Sequence, residues 1–157
     1  MNQLLPDEKF IKRAIKLICS AEHSIYLSTF KAEISHSPLG LSVIPFYDEV
    51  MKKAKEKKDV KLLINWNDKR SSVPKTNLLV MKKIKESGGL VRTLQNNRCC
   101  HAKIIIIDKR FAIIGSHNLS VKSCTANFEV SFFIDDLVAI KALLGVYFDV
   151  WQKAKKY

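Results

Sequence analysis

His-Ala-Lys-Ile-Ile-Ile-Ile-Asp-Lys-Arg-Phe-Ala-Ile-Ile-Gly-Ser-His-Asn, residues 101 to 118, is two apolar runs around one polar break. Apolar runs of this length predict strands, and Asp108, Lys109 and Arg110 predict the turn between them. A tight turn there lays Lys103 opposite Ser116 and His101 opposite Asn118, within one place of register. Side chains alternate along a strand, so His101 and Lys103 share a face. An imidazole, a fixed cation and two small polar groups therefore converge on one spot. That spot suits a phosphate. Ile104 to Ile107 are apolar on both faces, which predicts a central strand.

Outward from the hairpin, the pattern alternates between helix and strand. Asp7 reads as the N-cap of a first helix, with Phe10, Ile11, Ala14, Ile15, Leu17 and Ile18 at helical spacing. A strand is predicted over 24–30, a loop over 31–40 and a second helix from Leu41 or Pro45 to Lys58. A strand over 60–65, a polar loop over 66–77 and a third helix from Leu78 to Ser87 follow, the last stopped by Gly88 and Gly89. Strands are expected near 90–94, 102–107, 111–115 and 128–134, then a helix from 136 to 155. These elements predict an α/β sandwich, a mixed central sheet flanked by helices, in a single domain over 1–157.

Composition narrows the class of partner. The 27 Lys and Arg against 15 Asp and Glu leave a net charge of +12, a field that attracts polyanions such as nucleic acid or an anionic membrane. Neither a signal-peptide core nor an apolar stretch of membrane-spanning length is visible, so a cytoplasmic protein without integral membrane association is expected. Cys19, Cys99, Cys100 and Cys124 show no Cys-x-x-Cys spacing. Reduced thiols are expected, with Cys99 and Cys100 leading into the strand that follows His101. The acidic residues are scattered, with no carboxylate cluster or His-x-x-x-His pair, so no metal and no other cofactor is expected. The basic run 52–58 reads as a solvated helix face, and Lys153, Lys155 and Lys156 as a helix C-terminus. The loop after residue 65 differs, because Trp66, Lys69 and Arg70 combine an aromatic ring with cations. It is a candidate for substrate contact.

The spacing His-x-Lys-x4-Asp-x6-Gly-Ser-x-Asn, formed by His101, Lys103, Asp108, Gly115, Ser116 and Asn118, resembles the signature of the phospholipase D superfamily. No position departs from it. Asn127-Phe128-Glu129, the apolar strand through Ile134 and the helix ending near Trp151 are similar as well. The resemblance covers the chain from about residue 8 onward, is specific in the last third, and extends to the small single-motif bacterial endonucleases of that superfamily. It implies a covalent route in which one imidazole attacks phosphorus to give a phosphohistidine, while a second protonates the leaving oxygen and then activates water. His101 would be nucleophile or acid-base, and Lys103 would neutralise phosphate. Ser116 and Asn118 would bind the nonbridging oxygens, and Glu129 would orient the imidazole. Asp108 and Gly115 read as structural members of the motif. His117 points away from its neighbours and reads as a packing or surface residue.

Such a site needs two histidines of this kind. His23, His36 and His117 lack a lysine two places on, so a homodimer that brings two motifs together is expected. Three functions fit these residues. The first is a metal-independent, sequence-nonspecific endonuclease acting on DNA, with RNA a further substrate. The second is a lipid phosphodiesterase acting on a lipid such as cardiolipin, which requires a membrane-docking segment. Residues 38–46 are the candidate for one. The third is a nucleic-acid-binding module without turnover.

Overall fold

Eight strands form one sheet in the computed structural model, which describes residues 2–38, 40–67, 74–94 and 98–157. The chain runs β1 (Gln3–Pro6), α1 (Glu8–Cys19), β2 (Ser24–Thr29), a 3-10 turn (Gly40–Ser42), α2 (Ile44–Lys55), β3 (Asp59–Ile64), α3 (Thr76–Glu86) and β4 (Leu90–Thr93). It continues with β5 (Lys103–Ile107), β6 (Phe111–Gly115), α4 (Val121–Thr125), β7 (Val130–Ile134), α5 (Leu137–Lys153) and β8 (Lys155–Lys156). The strand order is β1-β7-β6-β5-β2-β3-β4-β8. Pairs β2–β3 and β3–β4 are parallel and the rest antiparallel, so the sheet is mixed, flanked by helices on both faces.

β5 is central, as its sequence requires. Ile105 and Ile107 enter a core shared with α1, α2 and α3, while Ile104 and Ile106 enter a second core under α5. The two faces are not covered equally. Phe10, Ile11, Ala14, Leu17 and Ile18 of α1, with Phe46, Val50, Val80 and Ile84, bury the first face. On the second, α5 seals the sheet with Ile140, Tyr147 and Trp151. It leaves Ile114 and Phe132 37% and 41% exposed and Leu4 54% exposed. Register sets Leu4 opposite Phe132 and Phe132 opposite Ile114, so these three make one apolar row across β1, β7 and β6.

Several expectations need correction. Asp7 precedes α1 but makes no side-chain cap; its Oδ1 accepts from the Glu129 N–H at 3.1 Å. The hairpin register falls within one place of the expected layout, with Lys103 opposite Gly115. Asp108 and Lys109 both have positive φ, 52° and 55°, as tight hairpin turns require. The last helix ends at Lys153, and Lys155–Lys156 pair with β4 instead of extending it. Sequence periodicity does not signal β1, α4 or β8. The proposed membrane-docking segment 38–46 contributes Val43 and Phe46 to the core, both 0% exposed. Among the described residues, no helix is long and apolar enough to cross a membrane.

Candidate active site

The motif residues gather where β2 and β3 end and β5 begins, the end of an α/β sheet that usually serves ligands. Lys103 opens β5 and is 9% exposed. Its Nζ donates to the His101 carbonyl at 2.7 Å and lies 3.0 Å and 3.1 Å from the imidazole Nδ1 and Nε2. His101 itself is exposed, with the Phe30 ring 5.4 Å away. An ammonium only donates, so these contacts hold the ring and the cation side by side. Burial lowers the Lys103 pKa, and the Glu129 charge works in the opposite direction. A partly desolvated cation attracts an arriving anion more strongly than one in open water.

Asn118 is fixed from two sides. Its Oδ1 accepts from the Thr29 hydroxyl at 3.3 Å and the Lys31 N–H at 3.1 Å, which turns the Nδ2 donors away from those partners. Its N–H donates to Ser123 Oγ at 2.8 Å, and that hydroxyl donates to Glu129 Oε1 at 2.8 Å. Asn127 Nδ2 donates to the same oxygen at 3.1 Å. Burial alone would raise the Glu129 pKa. Hydrogen bonds from Ser116, Ser123 and Asn127 outweigh it and hold the carboxyl below its ordinary range. The Ser116 hydroxyl accepts from the Val130 N–H at 3.0 Å. Gly115 stands where β6 meets β7 too closely for any side chain: a Cβ would lie 2.3 Å from Ser131 Oγ and 2.5 Å from the Val130 oxygen. The structure thus brings His101 and Lys103 into contact, and links Asn118 to Glu129 through Ser123.

Comparison with known proteins shows the family. Residues 14–151 match the family described as cardiolipin synthase, PLD-like domain. The chain belongs to the phospholipase D superfamily of phosphodiesterases. It is 30% identical over 147 residues to a cardiolipin synthase of Staphylococcus aureus strain Mu50, an alignment covering 92% of this chain and 28% of that protein. It therefore spans about a quarter of the length of that relative. Two solved structures share the fold over 100% of this chain and 99% of theirs. They are Nuc, a phospholipase D family member from Salmonella typhimurium (TM-score 0.80, 22% identity), and NucT from Helicobacter pylori (TM-score 0.76, 17% identity).

Within this phospholipase D fold the remaining candidates divide clearly. His117 is 1% exposed and stacked on Phe10, with ring centroids 4.3 Å apart. Its Nε2 lies 3.1 Å from the Asp7 carbonyl and its Nδ1 2.8 Å from Ser131 Oγ. Burial depresses its pKa, so it is a neutral packing residue. Trp66 is half-buried against the first core; Lys69 and Arg70 lie outside the described residues. Cys100 is buried, with Sγ 3.4 Å from Ser28 Oγ, whereas Cys99 is exposed. Among the described residues no three His, Cys, Asp or Glu side chains gather in a metal-binding group.

Sequence patterns do not reveal the supports of the site. Asn77, expected in a loop, sits inside α3 and is fully buried. Its Oδ1 accepts from Ala32 N at 2.8 Å, and its Nδ2 donates to the Phe30 and Asn65 carbonyls at 2.9 Å and 2.6 Å. It thereby ties together the segments after β2 and β3, among them Phe30, whose ring stands near His101. Thr29, Phe30 and Ser123 are equally silent in the sequence, because a single polar or aromatic residue carries no spacing signal.

Proposed function

We propose that this chain is a metal-independent phosphodiesterase that hydrolyses DNA, and RNA as a further substrate, without sequence preference. The whole of 1–157 acts as one phospholipase D-like nuclease domain, working in the cytoplasm as a homodimer. The observation that carries the reading is the partly desolvated Lys103 ammonium held against the exposed His101 imidazole. One imidazole attacks phosphorus, forming a P–N bond as the P–O ester bond breaks. The second His101, from the other subunit, gives its proton to the leaving oxygen. It then takes a proton from water, whose oxygen attacks phosphorus as the P–N bond breaks, freeing the first imidazole and the phosphate monoester. Lys103, Ser116 and Asn118 bind the nonbridging oxygens, and preorganised donors of this kind stabilise transition-state charge without reorganising.

The dimer is supported by two facts. One motif supplies only half of a two-histidine site. The exposed row Leu4, Phe132 and Ile114 is an uncovered apolar surface that a second copy can bury, and Ile114 adjoins Gly115, the partner of Lys103 in the hairpin. Nucleic acid is supported by the net charge of +12.

A second reading, hydrolysis of a lipid phosphodiester, is favoured by the cardiolipin synthase relatives and by Leu137, Val138 and Val146, all exposed on α5. Incubation with plasmid DNA and with cardiolipin vesicles, each in excess chelator, separates the two. Plasmid cleavage with intact vesicles is the expected result. Vesicle hydrolysis with intact DNA replaces the first reading by the second, and binding without turnover leaves a nucleic-acid-binding module.

A further inference from the structure

Lys9, Lys12, Arg13 and Lys16 follow one another on α1 at spacings of three, one and three. Residues so spaced share one helix face, here opposite the buried Phe10, Ala14, Leu17 and Ile18. With Gln3 and Leu5 of β1 the four cations line a cleft of about 230 Å³. Lys12 shares its charge with Glu8 at 3.1 Å, an exposed pair that is weak and readily exchanged for another anion.

The arginine in this stripe is held in place by aromatic rings. Arg13 Cζ lies 4.1 Å from the Phe133 centroid, and Phe133 stacks on Phe111 at 5.9 Å. Arg110 Cζ sits 5.1 Å from Phe111. Two guanidinium groups therefore rest on one aromatic ledge that continues the lysine stripe to the β5–β6 turn. Laid on a ring, a guanidinium keeps its edge donors for phosphate. Arg13 Nε is shielded from solvent and, among the described residues, has no hydrogen-bond partner. From Lys9 to Lys16 the helix rises about 10 Å, more than a single phosphate spans.

Position relates the stripe to the motif. Asp7, immediately before α1, donates its N–H to the Glu129 carbonyl at 3.0 Å. The stripe therefore begins two residues beyond this contact with Glu129. The exposed apolar row Leu4, Phe132 and Ile114 lies on the opposite face of the sheet, as does α5. A membrane gripped by those apolar residues would leave the stripe facing away from it. Charge spacing and placement together favour a nucleic-acid backbone over a lipid surface.

We propose that the cationic face of α1, extended by Arg110, binds the phosphate backbone of a nucleic-acid strand outside the reaction centre. This rests on the nuclease reading above. Binding is measured without cleavage in the His101→Ala protein, by anisotropy of a fluorescent DNA duplex across a salt series. Lys9→Gln, Lys12→Gln and Lys16→Gln are combined in it; Arg13 stays, because it packs on Phe133. A matched control combines Lys52→Gln, Lys55→Gln and Lys57→Gln on and after α2.

The stripe variant should bind about tenfold or more weakly at low salt, and its salt slope should shrink by about 0.9 for each phosphate it no longer neutralises. The control should change neither by as much. Circular dichroism verifies the fold; if the triple variant is not folded, Lys16→Gln with Arg110→Gln, both at the surface, answers the same question. An unchanged slope, or an equal weakening in the control, overturns the stripe while plasmid cleavage by the parent keeps the nuclease reading. A parent that ignores DNA at low salt and binds cardiolipin vesicles overturns both.

Discussion

The two ends of the β5–β6 hairpin both carry polar residues and are finished in opposite ways. At the turn, Asp108 accepts from the N–H groups of Glu22, His23 and Ser24 at 2.9, 2.8 and 2.7 Å. Burial pushes its carboxyl up, but these three donors outweigh it and hold it below its ordinary value. The strong acceptor there is committed to the fold. At the open end Lys103 is buried and, among the described residues, donates to His101 alone, while Asn118 keeps its Nδ2 donors with its oxygen anchored. A saturated end fixes the register, and an end with donors in reserve can receive an anion.

Removing chemistry at the open end should have the largest effect. His101→Ala should lower turnover on the order of 10⁴-fold or more, as loss of a covalent catalyst does. Lys103→Ala should cost about 10²- to 10³-fold through lost charge stabilisation. Cleavage rates under single-turnover conditions, with circular dichroism for the fold, measure both. A near-parental rate in either would move the reaction centre elsewhere.

The exposed row beside that end offers the next contrast. Ile114→Lys with Phe132→Lys should yield a folded monomer with little activity, because each subunit then holds half a site. Light scattering reads the mass and plasmid cleavage the activity. A fully active monomer would refute the shared site.

At the turn end, effects should fall on stability and not on rate. Asp108→Ala leaves three backbone donors to water and should cost about 2 kcal/mol in a denaturant titration, with the rate of the folded fraction unchanged. A rate loss comparable to that of Lys103→Ala would make Asp108 part of the chemistry.

Acid should separate the groups most gently. His117, Glu129 and Asp108 all have folded pKa values below their ordinary 6.5, 4.5 and 3.8. In each case the unfolded chain takes up the proton first, so the stability they contribute is complete above the ordinary value and is lost as pH falls. The thermal midpoint should drop a little from pH 6.5 downward, then more steeply below 4.5. His117→Gln should remove the first step. Its persistence in that variant would assign it to another group.

Much of the molecule was legible in one dimension. The central strand, the hairpin, the alternation of helix and strand, and the motif around His101 and Lys103 all follow from local periodicity and fixed spacing, which short-range geometry enforces. Other features depend on partners distant in the chain. Asp108 reaches donors 84 to 86 residues away, and Asp7 abandons its cap for Glu129, 122 residues on. β1 and β8, of four and two residues, are strands only because β7 and β4 lie beside them. Asn77 becomes a buried fastener only once the segments around Phe30, Ala32 and Asn65 converge on it. Sequence alone determined which groups gather at the open end of the hairpin, because the motif is short and its geometry local. Only the tertiary structure decided which apolar row stays open and where the α1 cations lead, because exposure is set by where α5 crosses the sheet.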